Sequence, residues 1–289
     1  MRRTVNATGR VLVTVGTLLL LFVAYQLWGT GIYEAREQDR LQSELKKQIA
    51  ESKVARAPVS GTTTTTLPPA PPPDGEGLGL IHIPKIGVDR AIVQGVAVPD
   101  LRKGPGHYPD SPMPGQLGNA AIAGHRTTYG APFNRIDELA IGDEITIVTV
   151  SGTFHYSVIK QLIVSPKQTE VLDPTPDATL TLTTCNPKYS ARERLVVQAR
   201  LDVTQSPKPT KPAPIPVSDR TKVDDLSGSK ESRLPVIWWG LVVLAVGGAW
   251  WWLFRKKSRW FVWVAGAIVF LGAYAVFCFY LERVLPPGY

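Results

Sequence analysis

Apolar residues in this chain fall into two kinds of run, three long and several short. The long ones are Val11 to Trp28, Pro235 to Phe254 and Trp260 to Leu281, and the last two hold twenty and twenty-two residues without a charge. A helix of about 20 apolar residues crosses a hydrocarbon layer of roughly 30 Å, so both C-terminal runs read as transmembrane helices. The first run follows a basic start with Arg2, Arg3 and Arg10, which suits a secretory signal as well as a membrane anchor. It is long for a signal core and no small-x-small cleavage site follows, so it is read as an uncleaved signal-anchor.

The short runs lie between Leu78 and Thr204 and alternate with a period of two, the mark of strands. "GLIHIPKIGVDRAIVQGV" gives two, broken at Pro84 and Gly87, and "NAAIAGHR" gives another. "DEITIVTVSGTFHYSVIKQLIVS" predicts a hairpin turning at Ser151-Gly152, with Phe154, Tyr156 and Val158 alternating against Thr153, His155 and Ser157. "ATLTLTTC" and "RLVVQARLDV" complete a set of seven or eight strands. The expectation is a mainly β domain, a closed or nearly closed β-barrel, with small helices near Pro99 to Lys103 and Asn134 to Leu139.

Composition isolates this domain. Residues 31–77 predict a helical stalk, with Leu41, Leu45, Ile49 and Val54 at near-helical spacing among many charges, followed by a Thr-rich and Pro-rich linker. Residues 205–234 form a second Pro-rich linker, 235–281 the two C-terminal spans with the turn between them, and 282–289 a short tail. "RKKSR", Arg255 to Arg259, and the basic N-terminal segment 1–30 both favour the cytoplasmic side. Three spans then place 78–204 outside the cytoplasm. The net charge of +8 does not sit in this domain, where twelve Lys and Arg meet twelve Asp and Glu, so no nucleic-acid partner is expected.

Of two cysteines, Cys278 falls in the last span and Cys185 ends the strand "TLTTC". A solitary thiol outside the cytoplasm is either a buried small hydrophobe or an employed nucleophile. Nucleophilic use requires a partner for the proton and a donor for an oxyanion. Among the four histidines, His155 and His82 fall on polar phases, and His107 sits in a Gly/Pro-bounded loop that admits either role. His125 ends a small-residue strand where the chain enters a loop, which makes it the strongest partner. Arg194 begins the strand that follows Cys185 by nine residues, a loop length that allows a return beside the thiol, although a surface charge at a strand edge is the commoner fate.

"TLTTC" followed nine residues later by Arg, with "AGHR" upstream, closely resembles the signature of the sortase transpeptidases. "GHYPDSPMPGQLGNAAIAGHRTTYGAPF" and "TLTTCNPKYSARERLVV" are most similar to the class E sortases of actinobacteria. The resemblance covers most of Leu78 to Thr204 and joins three separated motifs in the family's order. It implies a sortase-like closed β-barrel and a cysteine transpeptidase with Cys185 as nucleophile, His125 as general acid and base, and Arg194 holding substrate backbone and oxyanion. Thr184 and Tyr108 are implied as substrate contacts. The implied partners are secreted proteins carrying C-terminal Leu-Ala-x-Thr-Gly or Leu-Pro-x-Thr-Gly signals and an amine of the peptidoglycan precursor, at the cell membrane of a Gram-positive actinobacterial type. No cofactor or metal is implied.

The two C-terminal spans depart from the single N-terminal anchor common in class E. A C-terminal anchor is more familiar in the pilin-polymerising class C, but no Asp-Pro-aromatic lid of that class precedes the barrel. A pilin polymerase and a catalytically inactive receptor for sorting signals stand as the alternative expectations.

Overall fold

The computed structural model describes residues 2–55, 71–212, 233–254 and 260–284. The Thr/Pro tract, most of the second linker, the basic turn and the end of the tail lie outside the described residues. The chain divides into two compact units, residues 1–28 with 228–286 and residues 29–227 with 287–289.

The larger unit is an eight-stranded closed barrel. Its strands are β1 (Gly77–Ile83), β2 (Val88–Gln94), β3 (Gly106–His107), β4 (Gly118–Ala123), β5 (Glu144–Thr149), β6 (Gly152–Val164), β7 (Ala178–Asn186) and β8 (Glu193–Leu201), ordered β1-β2-β3-β4-β7-β8-β6-β5 around the wall. Pairing is antiparallel except at β2–β3 and β4–β7, which run parallel. The predicted breaks are present: Pro84–Ile86 is a single 3-10 turn, and Gly87 leaves it at φ 69°, a left-handed conformation that glycine adopts without a Cβ clash. Thr149 pairs with Gly152, so the β5–β6 turn is Val150-Ser151, one residue earlier than expected.

Alternation along each strand fills the barrel. Ile81 and Ile83 from β1, Ile145 and Ile147 from β5, Leu180 and Leu182 from β7 and Val197 from β8 are fully buried in one cluster. Each such side chain contributes roughly 1.5–3 kcal/mol relative to exposure. The expected small helices appear as α3 (Val98–Leu101), after the stretch 2–55 has supplied α1 and α2, and as a 3-10 turn at Ile136–Glu138.

The segment expected as a solvated stalk is instead part of this unit. Helix α2 (Thr30–Ala55) lays Leu41, Leu45 and Ile49 against Ala91 and Val93 of β2, with Leu80, Val148 and Val150 around them. Val54, the last of the four spaced apolar residues, is exposed. Strand β2 meets β3 only at Val93 and Gln94, which leaves the Ala91 peptide without a strand on that side. Gln38 occupies the gap: its Oε1 accepts from Ala91 N at 2.7 Å, and its Nε2 donates to the carbonyls of Ala91 at 3.1 Å and Lys103 at 2.8 Å. A buried strand edge must find such partners or lose the equivalent of its hydrogen bonds.

The smaller unit holds α1 (Arg2–Ala24), α4 (Leu234–Phe254) and α5 (Trp260–Val284). Leu234–Trp252 and Trp263–Leu281 are long and apolar enough to cross a membrane, with mean hydropathies of 1.7 and 2.2, while the apolar stretch of α1 is the shorter Leu12–Ala24. Cys278 is buried here with Val243 and Tyr274, and both cysteines of the protein are free thiols.

If α2 is bound to the barrel through its apolar stripe, Leu41→Ala and Leu45→Ala should each lower stability by about 2–5 kcal/mol, as buried leucines do. Urea unfolding of the full chain in detergent followed by far-ultraviolet circular dichroism measures this, and losses below about 0.5 kcal/mol, typical of exposed sites, would return α2 to the role of a stalk.

Candidate active site

The site is built on the outside of the barrel wall. On β7 the residues Ala178, Leu180 and Leu182 point into the core, which sends Thr179, Thr181, Thr183 and Cys185 to the opposite face. On β8, Leu195, Val197 and Ala199 point inward and Arg194 outward. Cys185 and Arg194 are direct cross-strand partners in the antiparallel ladder. On the other flank β4 presents Ala121 and Ala123 outward, small residues that leave the floor of this face shallow.

The parallel pairing of β4 with β7 brings the histidine to the same end. Ala123 is level with Thr183, and His125 and Cys185 each lie two residues beyond that pair. Gly124 between them donates its N–H to the Thr183 carbonyl at 3.0 Å. A Cβ at Gly124 would come within 2.5 Å of the Phe133 ring, so a side chain there would displace the loop that follows His125. The His125 carbonyl accepts from Phe133 N at 3.1 Å, and its ring packs on Tyr129 with centroids 5.3 Å apart. His125 Nε2 is buried without a hydrogen-bond partner. Among the described residues, no hydrogen bond joins it to Cys185.

Burial governs the protonation of this pair. It pushes the His125 imidazole down to about 4, with the Arg102 charge acting in the same direction. It pushes the Cys185 thiol up, against the opposing fields of Arg194 and Arg126. The resting site at neutral pH is therefore a thiol beside a neutral imidazole. Arg194 is 8% exposed, and its Nη1 donates to the carbonyls of Ala191 and Glu193, both at 3.0 Å, which fixes the guanidinium beside the thiol.

Tyr108 belongs to the same face. It is packed with Ala121 and Ala123, its hydroxyl bonds to Thr183, and burial raises its pKa. Thr184 does not join it. Its position falls on the inward phase of β7, it is 3% exposed, and its hydroxyl donates to the Gly124 carbonyl at 2.7 Å. The period of two places this neighbour of the nucleophile on the opposite side of the sheet, where the hydroxyl expected to meet substrate holds the loop of His125.

The other histidines separate cleanly. His82 is exposed, and His155 Nδ1 lies 2.7 Å from Glu144 Oε1 on the outer surface. His107 is buried, its ring nitrogens within hydrogen-bond distance of Gln94 Oε1, the Pro112 carbonyl and Ser111 Oγ, and burial pushes it down to about 4. It braces β3, which Tyr108 directly follows. Asn119 Nδ2 donates to the carbonyls of Val171 and Asp173, which ties the β6–β7 connection across the same face.

Arg126 is the residue that the sequence reading passed over. It is 5% exposed, and its Nη1 donates to the Cys185 carbonyl at 3.2 Å and Asn186 Oδ1 at 2.7 Å. Its Nη2 lies 3.2 Å from Asp137 Oδ1. Arg126 thus clamps the end of β7 to the loop after His125, and its place directly after that histidine in "AGHR" was the available signal.

Fold and site together define a mainly β protein whose thiol, arginine and histidine converge on the outer face of a closed barrel. The Sortase domain family matches residues 81–202, so that part of the chain is a sortase domain. It is similar to sortase SrtE1 of Streptomyces coelicolor, 34% identical over 212 residues that make up 68% of this chain and 56% of that protein. It is also similar to sortase SrtE2 of the same organism, 29% identical over 217 residues, 70% of this chain and 83% of that protein. The chain thus spans little more than half the length of SrtE1. Among solved structures, that of sortase E1 from Streptomyces coelicolor with a tripeptide in the active site is 35% identical, covering 44% of this chain and 89% of the solved one, at a TM-score of 0.43.

Two measurements test the electrostatics. His107 and His125 are neutral in the folded protein down to about pH 4, whereas in an unfolded chain the rings take up protons near 6.5. The unfolded state therefore binds more protons between pH 6.5 and 4, and stability falls as pH falls through that window, by about 3 kcal/mol per ring. Urea midpoints at pH 7 and pH 5 should show the loss, and His107→Gln should roughly halve it. Separately, the rate at which iodoacetamide alkylates Cys185 should rise only above the ordinary thiol range, and Arg194→Gln should move that rise to higher pH. His125→Ala should leave the profile in place, because a neutral imidazole exerts no charge on the thiol.

Proposed function

We propose that the protein is a membrane-anchored sortase transpeptidase that cleaves Leu-Ala-x-Thr-Gly or Leu-Pro-x-Thr-Gly sorting signals after threonine and joins the secreted protein to an amine of the peptidoglycan precursor. The observation that supports this most is the direct pairing of Cys185 with Arg194 on the outer face, with Tyr108 beside them and His125 at the same end. In this reading the thiol proton passes to His125 as Cys185 Sγ bonds to the threonine carbonyl carbon. Arg194 stabilises the oxyanion with a charge held ready in a site shielded from water. His125 then gives the proton to the leaving amine, the threonine–glycine C–N bond breaks, and a thioester remains. The acceptor amine attacks that thioester, losing its proton to His125, and the thiol leaves and recovers it.

A neutral resting pair implies that the charged thiolate–imidazolium form is scarce, which favours slow turnover. Thr184 supports the histidine loop through Gly124 rather than meeting substrate, while Tyr108 remains placed to contact the signal. The reaction calls on no cofactor. The basic turn between the C-terminal helices and the basic start of the chain favour an orientation with 78–204 outside the cytoplasm and three spans in all.

Incubating the full chain in detergent with a panel of sorting peptides should give an adduct on Cys185 whose mass matches the fragment ending in threonine. Cys185→Ala should give none, and Arg194→Gln should lower kcat/KM about 10²–10³-fold, the cost of one lost oxyanion donor. Transfer only to a pilin lysine would identify a pilin polymerase, and peptide binding without any acyl adduct would identify an inactive receptor.

A further inference from the structure

A second cation stands beside His125, and no carboxylate among the described residues pairs with it. Arg102, the residue that closes α3, is 7% exposed, and its guanidinium lies 5.8 Å from the centroid of the Tyr129 ring. That ring packs on the His125 imidazole from its other contacts at 5.3 Å. Arg102 Nε is buried with no hydrogen-bond partner, as is His125 Nε2. The ion pairs of the described residues engage Arg40, Arg90, Arg126, Arg135, His155 and Arg200, and leave Arg102 out.

Of the other two buried arginines of the site, Arg126 has Asp137 as counter-charge although its own Nε is likewise buried without a hydrogen-bond partner, and Arg194 is held by two carbonyls; Arg102 has neither an ion pair nor a carbonyl among the described residues. A largely buried guanidinium without a counter-charge is disfavoured, and the planar fork of its nitrogens matches a carboxylate through two parallel hydrogen bonds. We propose that Arg102 recognises a carboxylate carried by the amine acceptor, so that the acceptor is an amine of amino-acid type whose carboxylate lies close to its amino group. Held by Arg102 across the Tyr129 ring, such an acceptor turns its nitrogen toward His125 and the thioester on Cys185. A bound carboxylate also offsets the field that Arg102 exerts on His125, and so favours the imidazolium formed when the acceptor loses its proton. The inference rests on the transpeptidase reading above.

The experiment uses the full chain in detergent, a sorting peptide with a carboxamide C-terminus, and two acceptors, glycine and glycinamide. In the native protein and in Arg102→Gln, the ratio of apparent KM for glycine to that for glycinamide is compared, so that the different basicities of the two amines cancel. The substitution should raise that ratio about tenfold, the worth of one charge-assisted hydrogen bond, and Arg102→Lys, which keeps the charge without the fork, should fall between. An unchanged ratio, whether or not both rates fall together, overturns the proposal. A defect that appears only with a free carboxylate on the leaving segment assigns Arg102 to the peptide and also overturns it. Independently of turnover, nuclear magnetic resonance of ring-labelled histidine should show acetate raising the His125 pKa in the native chain, with chloride at equal ionic strength as the reference, and not in Arg102→Gln. Absence of any acyl adduct on native Cys185 sinks the transpeptidase reading, whereas absence of any acetate response in the native chain sinks the carboxylate site.

Discussion

The parallel pairing of β4 with β7 is the constraint on which the site depends. Antiparallel neighbours deliver successive chain ends to opposite rims of a barrel, whereas parallel neighbours exit on the same rim. Here the level pair Ala123 and Thr183 puts His125 and Cys185 two residues further along adjacent strands. A parallel pair needs a long connection, and the segment from Gly124 to Asp177 supplies it, with β5 and β6 inside it closing the barrel through β1 and β8. Arg126 and Gly124 then hold the two strand ends together through the Cys185 and Thr183 carbonyls.

Around that pair the protein has placed cations rather than anions. Arg102, Arg126 and Arg194 are each less than a tenth exposed. Their fields favour a thiolate but oppose an imidazolium, while burial opposes both charged forms. The consequence is a thiol that rests protonated and little reactive, since the thiolate is the nucleophile. The same three charges suit the transition state, where negative charge appears on the substrate oxygen.

Much of this was legible in the sequence because period-two alternation reports directly which face a strand residue takes. The breaks at Pro84 and Gly87, the β5–β6 hairpin and the inward set on β8 all follow from it. Strand β3 did not, since two residues, Gly106 and His107, carry no period. The same alternation, applied to β7, assigns Thr184 to the core side, where it is buried. Helix α2 was undervalued because three apolar residues among many charges look like a solvated surface, and only the barrel's outer patch at Leu80, Ala91 and Val148 gives them a partner. Arg126 was signalled only by its place after His125 in "AGHR", while Arg102 acts through tertiary contacts to chain segments remote in sequence, which no local pattern encodes.

Helix α2 also reaches the catalytic loops. Thr30 Oγ1 accepts from Tyr129 N at 3.3 Å, Gln38 holds the Lys103 carbonyl, and the Glu34 carboxylate occupies the space that a side chain at Gly130 would need. The folding unit of the barrel therefore begins near Gly29, not at the first strand. A soluble fragment cut at Leu78 would bare a greasy stripe and an open strand edge, and would leave the ring stack of Arg102, Tyr129 and His125 without its outer wall.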